Sequence, residues 1–253
     1  AARPLIPMSH DIWFYGATVV AVTLLGFAKG GLAGAGLLAT PLMTLVMPPF
    51  QAGAILLPIL LMQDAVTVAA FRKSWDKPSL RRLVPAGVMG VMLAWLLSAW
   101  ISARIVEAAI GLIAMLFAVL RMLRPKGGAA GERPAAAWLA GIASGFTSQI
   151  AHAGAQPFQI YMLGRRLPAE LYLGTAAFYF TAIDIAKVPA FLALGQLRAP
   201  DLMIAAAMAP VAVGSSWAGV FVMRRLPVDA LYRIVSVMLF LVGLVLFGRS
   251  LIG

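Results

Sequence analysis

Ten apolar runs, most of them almost free of charged residues, follow one another along the chain and decide what it can fold into. Charged residues make up only 11% of the sequence, whereas soluble domains carry about 25%. Apolar stretches of about 20 residues are typical of membrane-spanning helices. The sequence therefore predicts an all-α polytopic membrane protein in a lipid bilayer. The runs are residues 12–28, 32–47, 51–71, 83–100, 105–120, 135–150, 153–163, 169–194, 201–223 and 228–247.

The net charge of +11 does not indicate a nucleic-acid partner. The basic residues lie in short loops between apolar runs, which is the pattern of cytoplasmic membrane loops. The chain has no cysteine, which excludes disulfides, a thiol nucleophile and Cys-ligated metals. It has no nucleotide-binding motif, and its first apolar run lacks the basic leader of a cleavable signal peptide. We therefore expect no cofactor, no ATP drive and no nucleic acid as a partner.

The second half of the chain repeats the order of the first. Residues 1–124 form the first predicted transmembrane repeat, 125–134 a cytoplasmic linker rich in glycine and basic residues, and 135–253 the second repeat. Matching residues recur at a spacing of roughly 120 positions, which is the signature of an internal repeat. The matched pairs are Gly26-Phe27 with Gly145-Phe146, Asp64 with Asp184, Pro85 with Pro210, and Glu107 with Asp229.

Lysine and arginine are distributed unevenly between the two sides of the predicted membrane protein. Thirteen of the 20 fall in the loops after the third, fifth, seventh and ninth runs, and four fall on the other side. The basic side is expected to be cytoplasmic, which places both termini in the periplasm. The repeats are then inverted, with five helical segments each. Segments 1–2 and 6–7 form short hairpins that either cross the membrane fully or turn at mid-depth.

Two polar breaks interrupt the apolar pattern at corresponding places in the halves. The first, residues 26–36, carries a lysine among five glycines, and the second, residues 145–154, carries a string of neutral polar residues. Glycine allows close helix contacts and non-helical backbone, and a lysine inside a membrane segment usually faces a cavity or a partner. Paired breaks of this kind are typical of the binding site of a transporter built from two repeats.

These residues resemble a known family. The chain is similar to the TauE/SafE sulfite exporters, also called the TSUP permeases, over almost its whole length. The resemblance implies transport of sulfite, sulfoacetate or another organosulfonate across the bacterial inner membrane. In the second half, the resemblance lies in Gly145-Phe146. In the first half, it lies in the first break and the residues that follow it: Gly26-Phe27, Gly30-Gly31, Gly34-Ala35-Gly36 and Leu37-Leu38-Ala39-Thr40-Pro41-Leu42.

Lys29 is the candidate for a fixed positive charge that binds a small anion. Short helices that begin at the breaks would direct backbone N–H groups and positive dipole ends inward, as anion sites require. The alternative is that Lys29 extends to the membrane interface. In the second break, neutral donors suit the oxygens of a sulfonate, and a helix would bring His152, Gln156 and Gln159 to one face. The alternative for these residues is hydrogen bonding between helices.

The predicted substrate-binding residues lie in one of the two breaks or directly after the second: Lys29, Gly30, Gly31, Gly34, Thr147, Ser148, Gln149, His152, Gln156 and Gln159.

Asp64, Asp184 and His152 are candidates for proton coupling, because ionisable groups inside membranes are rare and usually functional. Asp184 alternatively forms a structural pair with Lys187 on the same helix face. Asp64 has no cation nearby in sequence, and Lys29 is a candidate partner. Glu107 and Asp229, in the first turns of their helices, are expected to be structural.

The residues together predict a secondary transporter that binds a small anion between the two breaks and works by alternating access. The alternatives are an anion channel and a transporter of a carboxylate-type anion. An enzyme is not expected, because one intramembrane histidine and scattered carboxylates offer no convergent acid, base and nucleophile. A scaffold would not need polar helix breaks. The sequence does not fix the oligomeric state.

Overall fold

The computed structural model describes residues 12–30, 35–98, 100, 102–122, 134–222 and 228–252. Within these residues the protein has eleven α-helices, one short 3-10 helix (Ala35–Leu38) and no strand, so the all-α prediction is confirmed. The helices are α1 (Ile12–Lys29), α2 (Ala39–Thr44), α3 (Pro49–Phe71), α4 (Lys77–Ser98), α5 (Ala103–Met122), α6 (Pro134–Ala151), α7 (Ala155–Gly164), α8 (Ala169–Ala193), α9 (Ala199–Ala207), α10 (Ala209–Val222) and α11 (Val228–Ile252).

Four helices are long and apolar enough to cross a membrane, namely α1, α3, α4 and α8. The consecutive helices α9 and α10 meet at a bend of 48° and count as a fifth span if they are taken together. Large apolar side chains are exposed on the outer surface, for example Leu96, Leu139 and Phe221, where lipid tails would cover them. The prediction of a polytopic membrane protein is confirmed.

The ninth predicted run, residues 201–223, is a broken helix rather than one continuous helix. The break lies at Met208, between α9 and α10. Pro210, the second residue of α10, has no amide hydrogen to donate to the carbonyl of Ala206. The predicted basic loop also differs, because α4 already begins at Lys77 and its first turns carry Arg81 and Arg82.

The helices of the two halves pack against each other in a reciprocal pattern. Helix α1 packs against α10 and α4 packs against α6, while α3 packs against α8 and α5 against α11. The predicted repeat requires that α1 corresponds to α6 and that α4 corresponds to α9–α10. Exchanging the two halves then turns the α1–α10 pair into the α6–α4 pair. The α3–α8 and α5–α11 pairs each join a helix to its own counterpart. A two-fold axis between halves produces this pattern. The inverted orientation stays a prediction, and most of the predicted linker lies outside the described residues.

Glycine at position 145 allows α4 and α6 to approach closely. A Cβ atom added to Gly145 would lie 2.7 Å from the carbonyl carbon of Gly87 and would overlap its carbonyl oxygen. Both atoms belong to the backbone of α4, so no side chain can move aside. The α4–α6 contact therefore depends on the absence of a side chain at this position.

We expect Gly145→Ala to destabilise the protein by about 1–3 kcal/mol, the usual cost of overpacking. Gly214→Ala is the matched control, because nothing lies within 4 Å of a Cβ atom at Gly214 and alanine favours a helix. Thermal unfolding in detergent, followed by size-exclusion chromatography, measures both variants. Equal unfolding midpoints for the two variants would contradict the close α4–α6 contact.

Candidate functional site

Lys29 lies at the end of α1 and points into the protein rather than toward the membrane interface. Its Nζ contacts Oδ1 of Asp64 and lies 3.4 Å from Oδ2 of Asp184. It also lies 5.5 Å from the centre of the Phe180 ring. Only 12% of the Lys29 side chain is exposed. The interface alternative for Lys29 does not hold, because its charge is paired in the interior.

Asp184 of α8 joins this pair to a second lysine. Its Oδ1 lies 2.6 Å from Nζ of Lys187, three residues further along the same helix, and Lys187 is completely buried. Lys29, Asp64, Asp184 and Lys187 therefore form a continuous network, here called the charge quartet. With both lysines protonated and both aspartates ionised, the quartet carries no net charge, which is how a protein can hold four charges away from water.

Neighbouring polar groups hold α3 in the position that places Asp64. Gln63 donates from Nε2 to the carbonyl of Val22 in α1 at 3.0 Å. Thr67 bonds back to the carbonyls of Gln63 and Asp64. Asp64 Oδ2 is buried and has no hydrogen-bond partner among the described residues. Asp64 therefore forms an ion pair with one lysine and keeps one carboxylate oxygen without a hydrogen bond among the described residues. Asp184 forms ion pairs with two lysines.

His152 lies where α6 ends and connects the quartet to α3. Its φ angle of 50° is in the left-handed region, which histidine adopts rarely, and the turn directs its ring toward α8. Lys187 Nζ lies 2.9 Å from Nδ1, and the carbonyl of Gly53 lies 3.3 Å from Nε2. Because an ammonium can only donate, we assign Nδ1 as the acceptor and place the proton on Nε2.

The two lysines differ in how many of their donors are already used. Each ammonium has three N–H groups. Lys187 has three partners, which are Asp184, His152 and Ser148, the last at 3.2 Å. Lys29 has two among the described residues. Lys29 therefore keeps one donor available for a bound oxygen, and Lys187 does not.

Among the described residues, two cavities adjoin His152. The larger, of about 90 Å³, contains Lys29 and Asp184 in its lining and extends toward the end of α3 and the start of α8, at Thr67 and Tyr172. The smaller, of about 40 Å³, extends toward the start of α3 and the end of α8, at Pro49 and Leu194. His152 belongs to the lining of both. Its ring therefore lies between them.

The structure brings some of the predicted binding residues to these cavities. Lys29, Ser148, His152 and Gln159 line the larger cavity, and Gln149 and His152 line the smaller one. Of the predicted proton carriers, Asp184 lines the larger cavity, and Asp64 reaches it only through Lys29.

Other predicted binding residues have different positions. Gly30 is the point where α1 approaches the backbone of Gly219 in α10, and Thr147 bonds to the carbonyl of Ala143 within α6. Gln156 is buried and lines neither cavity, because α6 ends before His152 and α7 begins only at Ala155, so the expected common helical face does not form. Gly31 and Gly34 lie outside the described residues.

Lys187 was interpreted from the sequence only as a partner of Asp184. Its contacts with His152 and Ser148 were missed, as was Gly53, whose carbonyl receives the His152 hydrogen bond. The signal for Lys187 was present, since a lysine in the middle of an apolar run needs a partner. Gly53 gave no signal, because a backbone carbonyl leaves no mark in a sequence. Within the described part of the chain, no cluster of acids and histidines could hold a metal ion.

Further polar contacts join the halves of the chain at opposite ends of α3 and α8. At one end, Arg165 Nη2 lies 3.2 Å from Asp76 Oδ2, and Ser74 donates to Glu170 at 3.0 Å. These two contacts are here called the Asp76 latch. At the other end, Gln51 donates to Asp201 at 3.0 Å. This contact is here called the Asp201 latch. None of these contacts was predicted from the sequence, since each joins residues about 90 to 150 positions apart.

Comparison with known proteins gives a match at the level of the family. Neither the curated proteins nor the solved structures include a match to this chain. The profile of the family described as sulfite exporter TauE/SafE matches residues 18–246, a span that includes the charge quartet, His152 and both latches. With this match over most of its length, the chain belongs to the sulfite exporter TauE/SafE family.

Proposed function

We propose that this protein is a secondary transporter that carries sulfite or an organosulfonate across the bacterial inner membrane by alternating access. The observation that carries the proposal is Lys29, a mostly buried cation with an available donor that lines the larger cavity. An oxyanion there gains a charge-assisted hydrogen bond. The membership in the TauE/SafE family supports a sulfur-containing anion as the substrate.

Charge balance supports coupling to a proton. The quartet is neutral, so an anion that pairs with Lys29 competes with Asp64 for the same ammonium. If a proton from solution enters on Asp64, Lys29 is released for the anion, and the sum of charges stays at zero. Asp64 gives up one ion pair on accepting a proton, whereas Asp184 gives up two. In this mechanism Asp64 is the proton carrier, and one proton moves with each monoanion.

The separation of the two cavities supports a carrier rather than a channel. His152, held by Lys187 and by the carbonyl of Gly53, lies between them. A substrate that passes from one cavity to the other must displace this ring. We place the larger cavity on the cytoplasmic side, because the basic loops lie at that end, and both termini in the periplasm.

The latches are the contacts that would break when the protein opens a cavity toward one side of the membrane. The Asp76 latch joins the α3–α4 loop to the α7–α8 turn and to the start of α8, and the Asp201 latch joins the start of α3 to α9. Each links a segment of the first repeat to a segment of the second, at opposite ends. If one repeat moves against the other, one latch opens while the other stays closed.

Counterflow in proteoliposomes tests the proposed function. Vesicles loaded with unlabelled sulfite or an organosulfonate should accumulate the radiolabelled anion transiently, because a carrier exchanges and saturates. A monodisperse, reconstituted protein that moves neither sulfite nor any organosulfonate, but moves acetate, would contradict the sulfur-anion assignment. Linear, non-saturating flux of sulfonate without counterflow would contradict the carrier and favour the channel.

We expect Arg165→Gln to weaken the Asp76 latch and expose the larger cavity. The lost charge-assisted hydrogen bond is worth about 1.5 kcal/mol, or about a tenfold shift in population. Since the chain has no cysteine, a single Gln159→Cys reporter in the cavity lining can be labelled by a membrane-impermeant maleimide. Labelling from the cytoplasmic face should be about tenfold faster in the Arg165→Gln background.

Arg166→Gln is the matched control for the latch, because Arg166 is the neighbouring arginine and its side chain is exposed. It should leave the labelling rate unchanged. Equal rates for the Arg165 and Arg166 variants would contradict the role of the latch.

A further inference from the structure

The cavity beside Lys29 selects a particular kind of sulfonate. We propose that the substrate is a short alkanesulfonate, with a single negative charge and an uncharged alkyl body of about two or three carbons. This inference rests on the proposed function of the same site, and it adds to that function the charge, polarity and length of the molecule carried.

Charge is confined to one end of the larger cavity. Lys29 and Asp184 are the charged residues of its described lining, and both belong to the charge quartet. From Asp184 the lining continues along α8 through Phe180, Ala177 and Leu173. The last of these lies eleven positions away, or roughly 16 Å along the helix axis. A sulfonate bound at Lys29 therefore extends its body away from the charges.

The rest of the cavity is mostly hydrocarbon and aromatic. Apolar side chains from five segments converge there, and the polar groups outside the quartet are uncharged. The apolar lining includes Leu25, Leu37, Leu60, Phe158, Leu173 and Phe180, and the neutral polar lining consists of Thr67, Ser148, His152, Gln159 and Tyr172. Sulfite alone would fill only the end at Lys29 and would leave this apolar surface without a partner. An alkyl body would cover it.

A second charge on the substrate would have no partner in this cavity. The carboxylate of sulfoacetate would need a cation, and the ammonium of taurine would need a carboxylate. The described lining offers neither beyond the quartet. Placing an unpaired charge against apolar walls is strongly unfavourable. The site therefore discriminates against dianionic and zwitterionic sulfonates.

The cavity volume limits the length of the body. A cavity of about 150 Å³ lined by leucine, isoleucine and phenylalanine holds one benzene molecule. The cavity here is smaller, about 90 Å³, so we expect a short alkyl body to suit it better than an aromatic ring. We expect affinity to rise about fourfold per methylene from methanesulfonate to propanesulfonate, which corresponds to about 0.8 kcal/mol, and to fall for longer chains and for benzenesulfonate.

Matched ligand pairs test the inference on the purified wild-type protein. 1-Propanesulfonate and taurine have equal numbers of heavy atoms and differ in the ammonium group. 2-Methylpropanesulfonate and sulfoacetate are matched in the same way and differ in the carboxylate. Calorimetry and counterflow competition should show at least about tenfold tighter binding of the uncharged-body member of each pair. Equal or tighter binding of taurine or sulfoacetate would overturn the inference.

Substituting a residue in the apolar lining of the larger cavity should change which sulfonate binds more tightly. Ala176 lines the cavity eight positions before Asp184 and is partly exposed. Ala176→Lys supplies a cation at the apolar end, so sulfoacetate should gain at least about tenfold relative to 2-methylpropanesulfonate. Ala176→Met, of similar length and uncharged, should weaken both ligands alike. If Ala176→Lys does not elute as a monodisperse protein, the wild-type ligand pairs decide the question alone.

The outcomes separate this inference from the proposed function. If sulfite or sulfoacetate is transported and no alkanesulfonate binds, the inference fails and the proposed function stands. If neither sulfite nor any sulfonate binds or is transported by monodisperse protein, the proposed function fails, and the inference fails with it. Binding that follows alkyl length and is lost with a second charge supports both.

Discussion

Replacing Lys29 with methionine is expected to abolish sulfonate transport and to destabilise the protein by about 3–5 kcal/mol, the usual cost of removing one partner of a buried ion pair. Asp64 is completely buried and Lys29 is its only cation among the described residues. Without Lys29 its charge is uncompensated, and the anion loses its donor. Counterflow of a sulfonate in proteoliposomes and thermal unfolding in detergent measure the two effects. Lys73→Met, at an exposed lysine, should change neither.

A double variant separates the anion-binding role of Lys29 from its structural role. Lys29→Met combined with Asp64→Leu removes both charges together, and replacing a buried pair with apolar residues is often neutral for stability. We expect the double variant to regain most of the lost stability while transport stays absent. Transport at the wild-type rate in the double variant would show that the anion binds elsewhere. Transport by Lys29→Met alone would show the same.

The membrane architecture could be predicted from the sequence because it depends on patterns that a sequence displays directly. Apolar runs of sufficient length and the positions of prolines and glycines mark the helices and breaks, and each predicted run matches a helix or a consecutive group of helices. The bend at Met208 was missed. Pro58, Pro85 and Pro189 lie inside helices that continue, so a proline alone does not say which helix will break.

The site could be predicted only in part, because it depends on which side chains converge in three dimensions. The candidate pairing of Asp64 with Lys29 is observed, and so is the pair of Asp184 with Lys187. The link that makes them one network runs from Lys29 of α1 to Asp184 of α8, which lie 155 positions apart in the sequence. The break at His152 likewise separated residues that a continuous helix would have aligned.

The two predicted repeats share their acids but not their lysines. Asp64 and Asp184 each lie fifteen residues after the first residue of their helix, at Pro49 and Ala169. At the spacing of 119 positions that relates Gly26 to Gly145, Lys29 corresponds to Ser148. At the spacing of 120 positions that relates the two aspartates, Lys187 corresponds to Thr67. The halves are therefore unequal where they meet. One lysine faces the larger cavity, and the other is buried against His152, so the proposed anion would meet Lys29 rather than Lys187.

This asymmetry leads to the second large effect, which is the loss of proton coupling in Asp64→Asn. In the wild type, symport of one proton with one monoanion should let a pH difference of one unit drive about tenfold accumulation of a sulfonate, since one unit is worth about 1.36 kcal/mol. Asparagine resembles protonated aspartate and carries no charge, so Lys29 stays available to the anion. Asp64→Asn should keep counterflow but show no accumulation driven by the pH difference.

The sign of the pH dependence follows from the same step. Because the anion binds when Asp64 is protonated, sulfonate affinity in the wild type should fall as pH rises, by about tenfold per unit once Asp64 is mostly ionised, and should be constant in Asp64→Asn. Calorimetry over a pH series measures it. Glu107→Gln, an acid in α5 outside the quartet, should behave like the wild type. Accumulation that persists in Asp64→Asn and disappears in Asp184→Asn would assign the proton to Asp184 instead, because the anion would then displace the acid that both lysines share.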